Sequence, residues 1–228
     1  MSQQSQTGNF IYSPLSLAGN EIRLFLLDPG DHNERISGRL RHVSLDDDIQ
    51  YTALSYVWGD PSVTRPINLD GYSFDVTTNL KSALLHLRHR TQLKNLWIDA
   101  ICINQSDLTE RNKQILLMGN IYQRAQSVEV WLGLGTANSD SAMKLVEELG
   151  SIPASVDEWL RYGLKNEYTN QFIDVFERQG SRTLESLDNL FCRPWWTRVW
   201  VVQEVSVAKQ DTQSASRADD SQLPGQIY

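Results

Sequence analysis

The sequence predicts an α/β fold: a mainly parallel open sheet with helices on both faces, a β extension at its N-terminal side and a helical insertion. Three observations carry that expectation. Residues 96–134 run strand, helix, strand, and the middle stretch has its apolar residues on one face. "YTALSYVWGD" at 51–60 is a nearly continuous apolar run ending in a Gly-Asp-Pro turn, the pattern of a strand buried on both faces. Two further strand-length apolar runs precede it, separated by turn-forming residues.

Taken in order, "IRLFLLD" at 22–28 and "ISGRLRHVSL" at 36–45 read as a pair of strands around the break "PGDHNE". After the strand at 51–60, "INLDGYSFDV" at 67–76 places Asp70-Gly71 between two alternating halves, a strong hairpin signal because both turn positions need a positive φ. From Thr77 onward, Leu80, Leu84 and Leu87 recur at helical spacing. "LWIDAICI" then predicts a strand over 96–103. Asp107 followed by Glu110 matches a capping box, and Ile115, Met118, Ile121, Tyr122 and Ala125 form one helical stripe. "SVEVWLGLG" predicts the next strand, so the unit at 96–134 reads as a right-handed parallel crossover.

Residues 139–190 read as a helical insertion, with Ala142, Leu145, Val146 and Leu149 marking its first helix up to Gly150. A weaker helical pattern follows, and Pro194 opens the next helix, since its fixed φ suits a first turn. Beyond Lys209 the chain turns Ser-, Asp- and Gln-rich, a composition that predicts disorder. The expected organisation is therefore an N-terminal segment 1–20, a domain at 21–209 carrying the insertion, and a tail at 210–228.

A formal charge of −7 with 40% hydrophobic residues describes a folded acidic protein, and argues against a partner such as nucleic acid, whose phosphates demand a broad basic face. Two cysteines without metal-ligand spacing fit a reducing compartment. No apolar run reaches the roughly 20 residues that cross a bilayer, and "MSQQSQTGNF" has no apolar targeting core. No membrane span and a cytoplasmic location are expected.

Ligands of open parallel sheets sit beyond the carboxyl ends of the strands, where loops converge and helix N-termini present amides. Asp60, Asp99, Asn104 and Gln105 would share that edge. Asp99, Asn104 and Gln105 have two readings, as part of a site or as side chains tying their loop to its own backbone. Glu110 is better explained by the capping box. Glu204 lies four residues after Trp200 and eight after Trp196, so on a helix the three share a face. Two indoles suggest that this face turns inward, leaving the carboxylate desolvated unless it meets Arg111 or Arg198, and desolvated carboxylates cluster at functional sites. Cys102 reads as a small buried hydrophobe. His86 and His89 read as a solvated helix end, and the tryptophans mostly as core. There is no phosphate loop and no zinc spacing in the sequence.

"YTALSYVWGD", "LWIDAICINQSDLTERNKQILLMGNIYQRAQSVEVWLG" and "RPWWTRVWVVQEV" together resemble the fungal heterokaryon-incompatibility (HET) domain, whose members act in non-self recognition and programmed cell death. That domain is in turn similar to the TIR domain, which has a flavodoxin-like parallel sheet. Ser55-Tyr56 with Asp60, "WID" at 97–99, and Trp200 with Glu204 resemble three TIR motifs. The resemblance implies NAD as a substrate rather than a bound cofactor, and Glu204 as the catalytic carboxylate of its cleavage. Ser55, Trp58, Asp60, Asp99, Asn104, Gln105, Arg111 and Trp200 would line the NAD site, with tryptophans stacking on the rings and Arg65, Lys81 or Arg111 meeting the pyrophosphate. Nicotinamide leaves as a neutral base, so one carboxylate stabilising the oxocarbenium-like ribose would suffice. The resemblance equally allows a non-enzymatic assembly module working through self-association or other death-signalling proteins. The wide gap made by the insertion, and the lack of a clear apolar strand after Lys209, depart from a compact TIR domain and suggest a shortened C-terminal end.

Overall fold

A computed structural model describes residues 10–16, 18–136, 139–151, 167–201, 204 and 213–214. The chain divides into two compact units, Met1–Gly133 with Thr197–Ala215 and Leu134–Trp196 with Ser216–Tyr228.

The first unit is α/β. Its strands are β1 (Glu21–Leu27), β2 (Ser37–Ser44), β3 (Thr52–Tyr56), β4 (Thr64–Leu69), β5 (Tyr72–Thr77), β6 (Lys94–Trp97), β7 (Ser127–Trp131) and the two-residue β8 (Gln213–Ser214). They form one sheet in the order β5-β4-β2-β1-β6-β3-β7-β8. β3 pairs in parallel with β6 on one side and with β7 on the other, Ala53 standing opposite Trp97 and Val128. The crossover predicted at 96–134 is therefore present, but its two strands flank β3 instead of touching. β1 is antiparallel to β2 and to β6, and β4 is antiparallel to β5. The sheet is thus mixed, with a parallel half around β3 and a largely antiparallel half built from the N-terminal strands.

Residue chemistry accounts for these elements. Ala53, Leu54, Ser55 and Tyr56 of β3 are all buried, as a strand covered on both faces requires. Asp70 and Gly71 both adopt positive φ, 52° and 87°, and turn β4 into β5 as the Asp-Gly pair predicts. Helix α1 (Thr78–Leu87) is capped by the Thr77 hydroxyl, which accepts from the Leu80 amide, and buries Leu80, Ala83, Leu84 and Leu87. The strand predicted over 96–103 is corrected. It ends at Trp97, and Asp99–Cys102 forms a single helical turn, α2. In that turn the Cys102 amide bonds back to Ile98 O at 2.7 Å, and the packing of Ile101 and Cys102 outweighs their β propensity.

Helix α3 (Leu108–Arg124) begins at Asp107, whose Oδ1 accepts from the Thr109 and Glu110 amides at 2.9 and 3.0 Å. The other half of the predicted capping box is absent. The Glu110 carboxylate turns inward to a bidentate pair with Arg23 at 2.6 and 2.9 Å, and also accepts from the Asn104 amide. The predicted stripe is shifted too: Gln114 is buried while Ile115 is exposed.

After Lys209 only Gln213 and Ser214 are described, and they pair in parallel with Glu129 and Val130 of β7. The rest of the tail predicted to be disordered lies outside the described residues. The second unit contains α4 (Ser139–Gly150), α5 (Glu167–Glu177) and α6 (Ser181–Phe191), followed by a 3-10 turn at Pro194–Thr197 that the proline opens. Leu145, Val175 and Leu187 form its core, with Val146 and Leu149 against them.

Candidate functional site

At the carboxyl end of β3, Ser55 is fully buried and its hydroxyl donates to Glu204 Oε2. The Glu204 amide bonds Trp200 O at 3.0 Å, closing one turn that brings the carboxylate in at 1% exposure. Its counter-ion is Arg198, which donates from both terminal nitrogens, to Oε1 at 2.8 Å and to Oε2 at 3.0 Å. Of the two cations offered by the sequence, Arg198 is the partner, whereas Arg111 sits half-buried on α3 and forms no ion pair with Glu204. A fork of this kind is the geometry in which a buried carboxylate is best compensated.

Beyond the end of β6, Asp99 opens α2. Its Oδ2 accepts from Trp58 Nε1 and its Oδ1 from the Ala100 amide, both at 2.8 Å. Desolvation pushes the Asp99 carboxyl up to about 6; the Trp58 and Ala100 bonds oppose the rise, the Glu204 charge adds to it and Arg198 offsets part of it. The phenols of Tyr56 and Tyr122 are held well above their ordinary range, first by burial and then by nearby charge, Asp99 for Tyr56 and Glu204 with Asp99 for Tyr122. Ser55, Tyr56, Asp99, Tyr122, Arg198 and Glu204 are thus one electrostatically coupled cluster in which two carboxylates share a single guanidinium.

Other predicted site residues behave differently. Asp60 folds onto its own turn, accepting from the Ser62 amide and hydroxyl at 2.8 and 2.7 Å, bonds that hold its carboxyl below the usual range. Asn104 accepts from the Ser106 amide, and Gln105 Nε2 donates to Asp99 O at 2.9 Å. Both side chains tie their loop to its own backbone, and Gln105 thereby steadies the turn that carries Asp99. The inward indole face is corrected: Trp200 is 44% exposed, and Trp196 packs on Phe191 and Trp195 in the second unit. Residues 198–200 are not helical, so the assumed spacing of three side chains on one face does not hold. Trp58 is half-exposed, while Trp97, Trp131 and Trp195 are buried. Cys102 is buried as expected, and burial pushes its thiol up to about 12, which leaves it inert. His86 stacks beside Trp131 with its Nδ1 at Ser82 O, and His89 accepts from the Thr91 and Gln92 amides. Among the described residues no group of three or more His, Cys, Asp and Glu side chains could hold a metal, and no helix is long and apolar enough to cross a membrane.

Two structural residues were missed in the sequence. Arg23 is fully buried and also donates to Ser13 O and Cys102 O, tying the N-terminal segment and the α2 loop to β1. A lone arginine inside "IRLFLL" was the available signal, because a buried charge demands a partner. Asn79 bridges Val57 O and Trp131 Nε1, joining the ends of β3 and β7; an asparagine in the first turn of a helix carries no such signal by itself.

An α/β unit with coupled acidic and basic groups at the carboxyl ends of its parallel strands describes a class of fold and site. Comparison with known proteins supplies the family. The model of the Heterokaryon incompatibility protein (HET) family matches residues 51–204, from β3 through Glu204, and the chain belongs to that family. It is similar to heterokaryon incompatibility protein 6, OR allele, of Neurospora crassa, at 35% identity over 182 residues, covering 68% of this chain and 27% of that protein. The chain thus spans about a quarter of the length of that relative. No solved structure matches it.

Proposed function

We propose that this chain is a non-self-recognition module of a fungal incompatibility system that leads to programmed cell death, and that it signals by assembly without turning over a substrate. Family membership supports the first part. The observation that carries the second is the engagement of Glu204: at 1% exposure, with both oxygens on Arg198 and one also on Ser55, its charge is already neutralised. A carboxylate that stabilises an oxocarbenium ion must instead face the substrate. Trp200, the stacking partner implied by the TIR resemblance, is 44% exposed.

A second reading, TIR-like cleavage of NAD, is favoured by one observation. Ser55, Asp99 and Glu204 converge at the carboxyl ends of adjacent parallel strands, where such a ligand would bind. On this reading Arg198 must leave Glu204 before chemistry begins. The test is nicotinamide release from NAD by purified protein over a wide concentration range. The expected result is no release from wild type or from Glu204→Gln. Release by wild type that Glu204→Gln abolishes, with folding preserved, overturns the assembly reading in favour of the second.

A further inference from the structure

The outer face of α3 carries a pattern that its own fold does not use. Inward, α3 buries the polar Glu110 and Gln114 beside Met118, Ile121 and Tyr122. Outward, it exposes apolar residues, Leu116 at 84% and Ile115 at 37%. The exposed stripe Thr109, Asn112, Leu116, Asn120 and Gln123 advances by three and four residues, the spacing of a helix-packing seam, and contains no charge. Lys113 is turned aside, donating to Ser16 O and Gly19 O at 3.4 and 2.6 Å. A chain with net charge −7 repels its own copy over most of its surface, so an uncharged helix face is where two copies meet without that penalty.

The stripe is also self-complementary. Leu116 stands at the midpoint of α3, and Asn112 and Asn120 flank it one turn away on either side. A twofold axis through Leu116 brings two α3 helices together antiparallel, Leu116 on Leu116, with Asn112 of each copy facing Asn120 of the other. Those side-chain amides each offer donors and an acceptor, so the two pairs satisfy one another. Gly119, beside Leu116, fits the same picture. A Cβ there would meet nothing within 4 Å in the isolated chain, so intramolecular packing gives no reason for a glycine that weakens the helix, whereas close approach of a second helix does.

We infer that the exposed face of α3 is a homodimer interface, a second copy of this chain docking antiparallel through Leu116, Asn112 and Asn120. The inference is independent of whether NAD is cleaved. One helix face lies at the small end of interface sizes, so the dimer is reversible and appears as concentration rises. Sedimentation velocity across a concentration series should show monomer passing to dimer. Leu116→Glu should remain monomeric throughout with unchanged circular dichroism and melting temperature, because the side chain it replaces is solvent-facing. Register is read separately in a Cys192→Ser background: a mixture of Asn112→Cys and Asn120→Cys chains should form a mixed disulfide dimer under mild oxidation, while either alone should not. A wild type that stays monomeric at every concentration, a dimer that survives Leu116→Glu, or equal cross-linking by Asn112→Cys alone would overturn the interface.

Discussion

Removing Arg198 is the most direct probe of the buried cluster. Arg198→Ala deletes the two hydrogen bonds at 2.8 and 3.0 Å and leaves a carboxylate that is 1% exposed with only the Ser55 hydroxyl. Breaking a buried pair from one side costs roughly 3–5 kcal/mol, a large share of the roughly 5–15 kcal/mol that holds a domain together. The converse substitution is asymmetric. The Arg198 side chain is 20% exposed, so after Glu204→Gln its guanidinium can turn to water, while the amide oxygen still accepts from Ser55. Glu204→Gln should therefore cost about 1 kcal/mol, a typical net hydrogen-bond contribution. Arg198→Met with Glu204→Gln removes both charges and should recover most of the loss of Arg198→Ala. The assay is urea unfolding followed by tryptophan fluorescence, read as the midpoint at constant slope. In thermal melts the single Arg198→Ala variant should fall by roughly 6–20 °C. If it loses less than about 1 kcal/mol, or if the double variant is no more stable than it, the cluster is not the buried, mutually compensated pair described above.

Two other outcomes follow from particular residues. Asp99 has a folded-state pKa of about 6, above its ordinary value, so its contribution to stability is fully present below the unfolded-state pKa and is lost as pH rises through 6. Asp99→Asn should thus be more stable than wild type at pH 7–8, by up to about 3 kcal/mol, and should flatten the decline between about pH 4 and 6 in melts across that range. A wild-type profile unchanged by Asp99→Asn would contradict the assignment. Gly71→Ala should destabilise by about 1–2 kcal/mol, because φ is +87° while the space around a Cβ is open, so the whole effect is backbone strain. A neutral outcome in chemical denaturation would show that the hairpin relaxes there.

What the sequence determined by itself was local or periodic. Continuous apolar character placed β3 in the interior, Asp70-Gly71 turned the hairpin, Thr77 and Asp107 stood where helices start, and 96–134 read as a parallel crossover. Each follows from a preference that acts within a few residues. Long-range pairing was decided by the tertiary structure. Insertion of β3 between β6 and β7, and the antiparallel seat of β1 beside β6, depend on which edges bury the most surface together, which no window of sequence records. The same holds at the site. The four-residue step from Trp200 to Glu204 suggested a shared inward face, yet the carboxylate turns in to Ser55 and Arg198, while the Trp196 indole donates to Leu190 O and Trp200 stays 44% exposed. Likewise Glu110 fitted a capping box by spacing, but the buried Arg23 guanidinium claims it, since an uncompensated charge inside the sheet costs far more than one unmet cap.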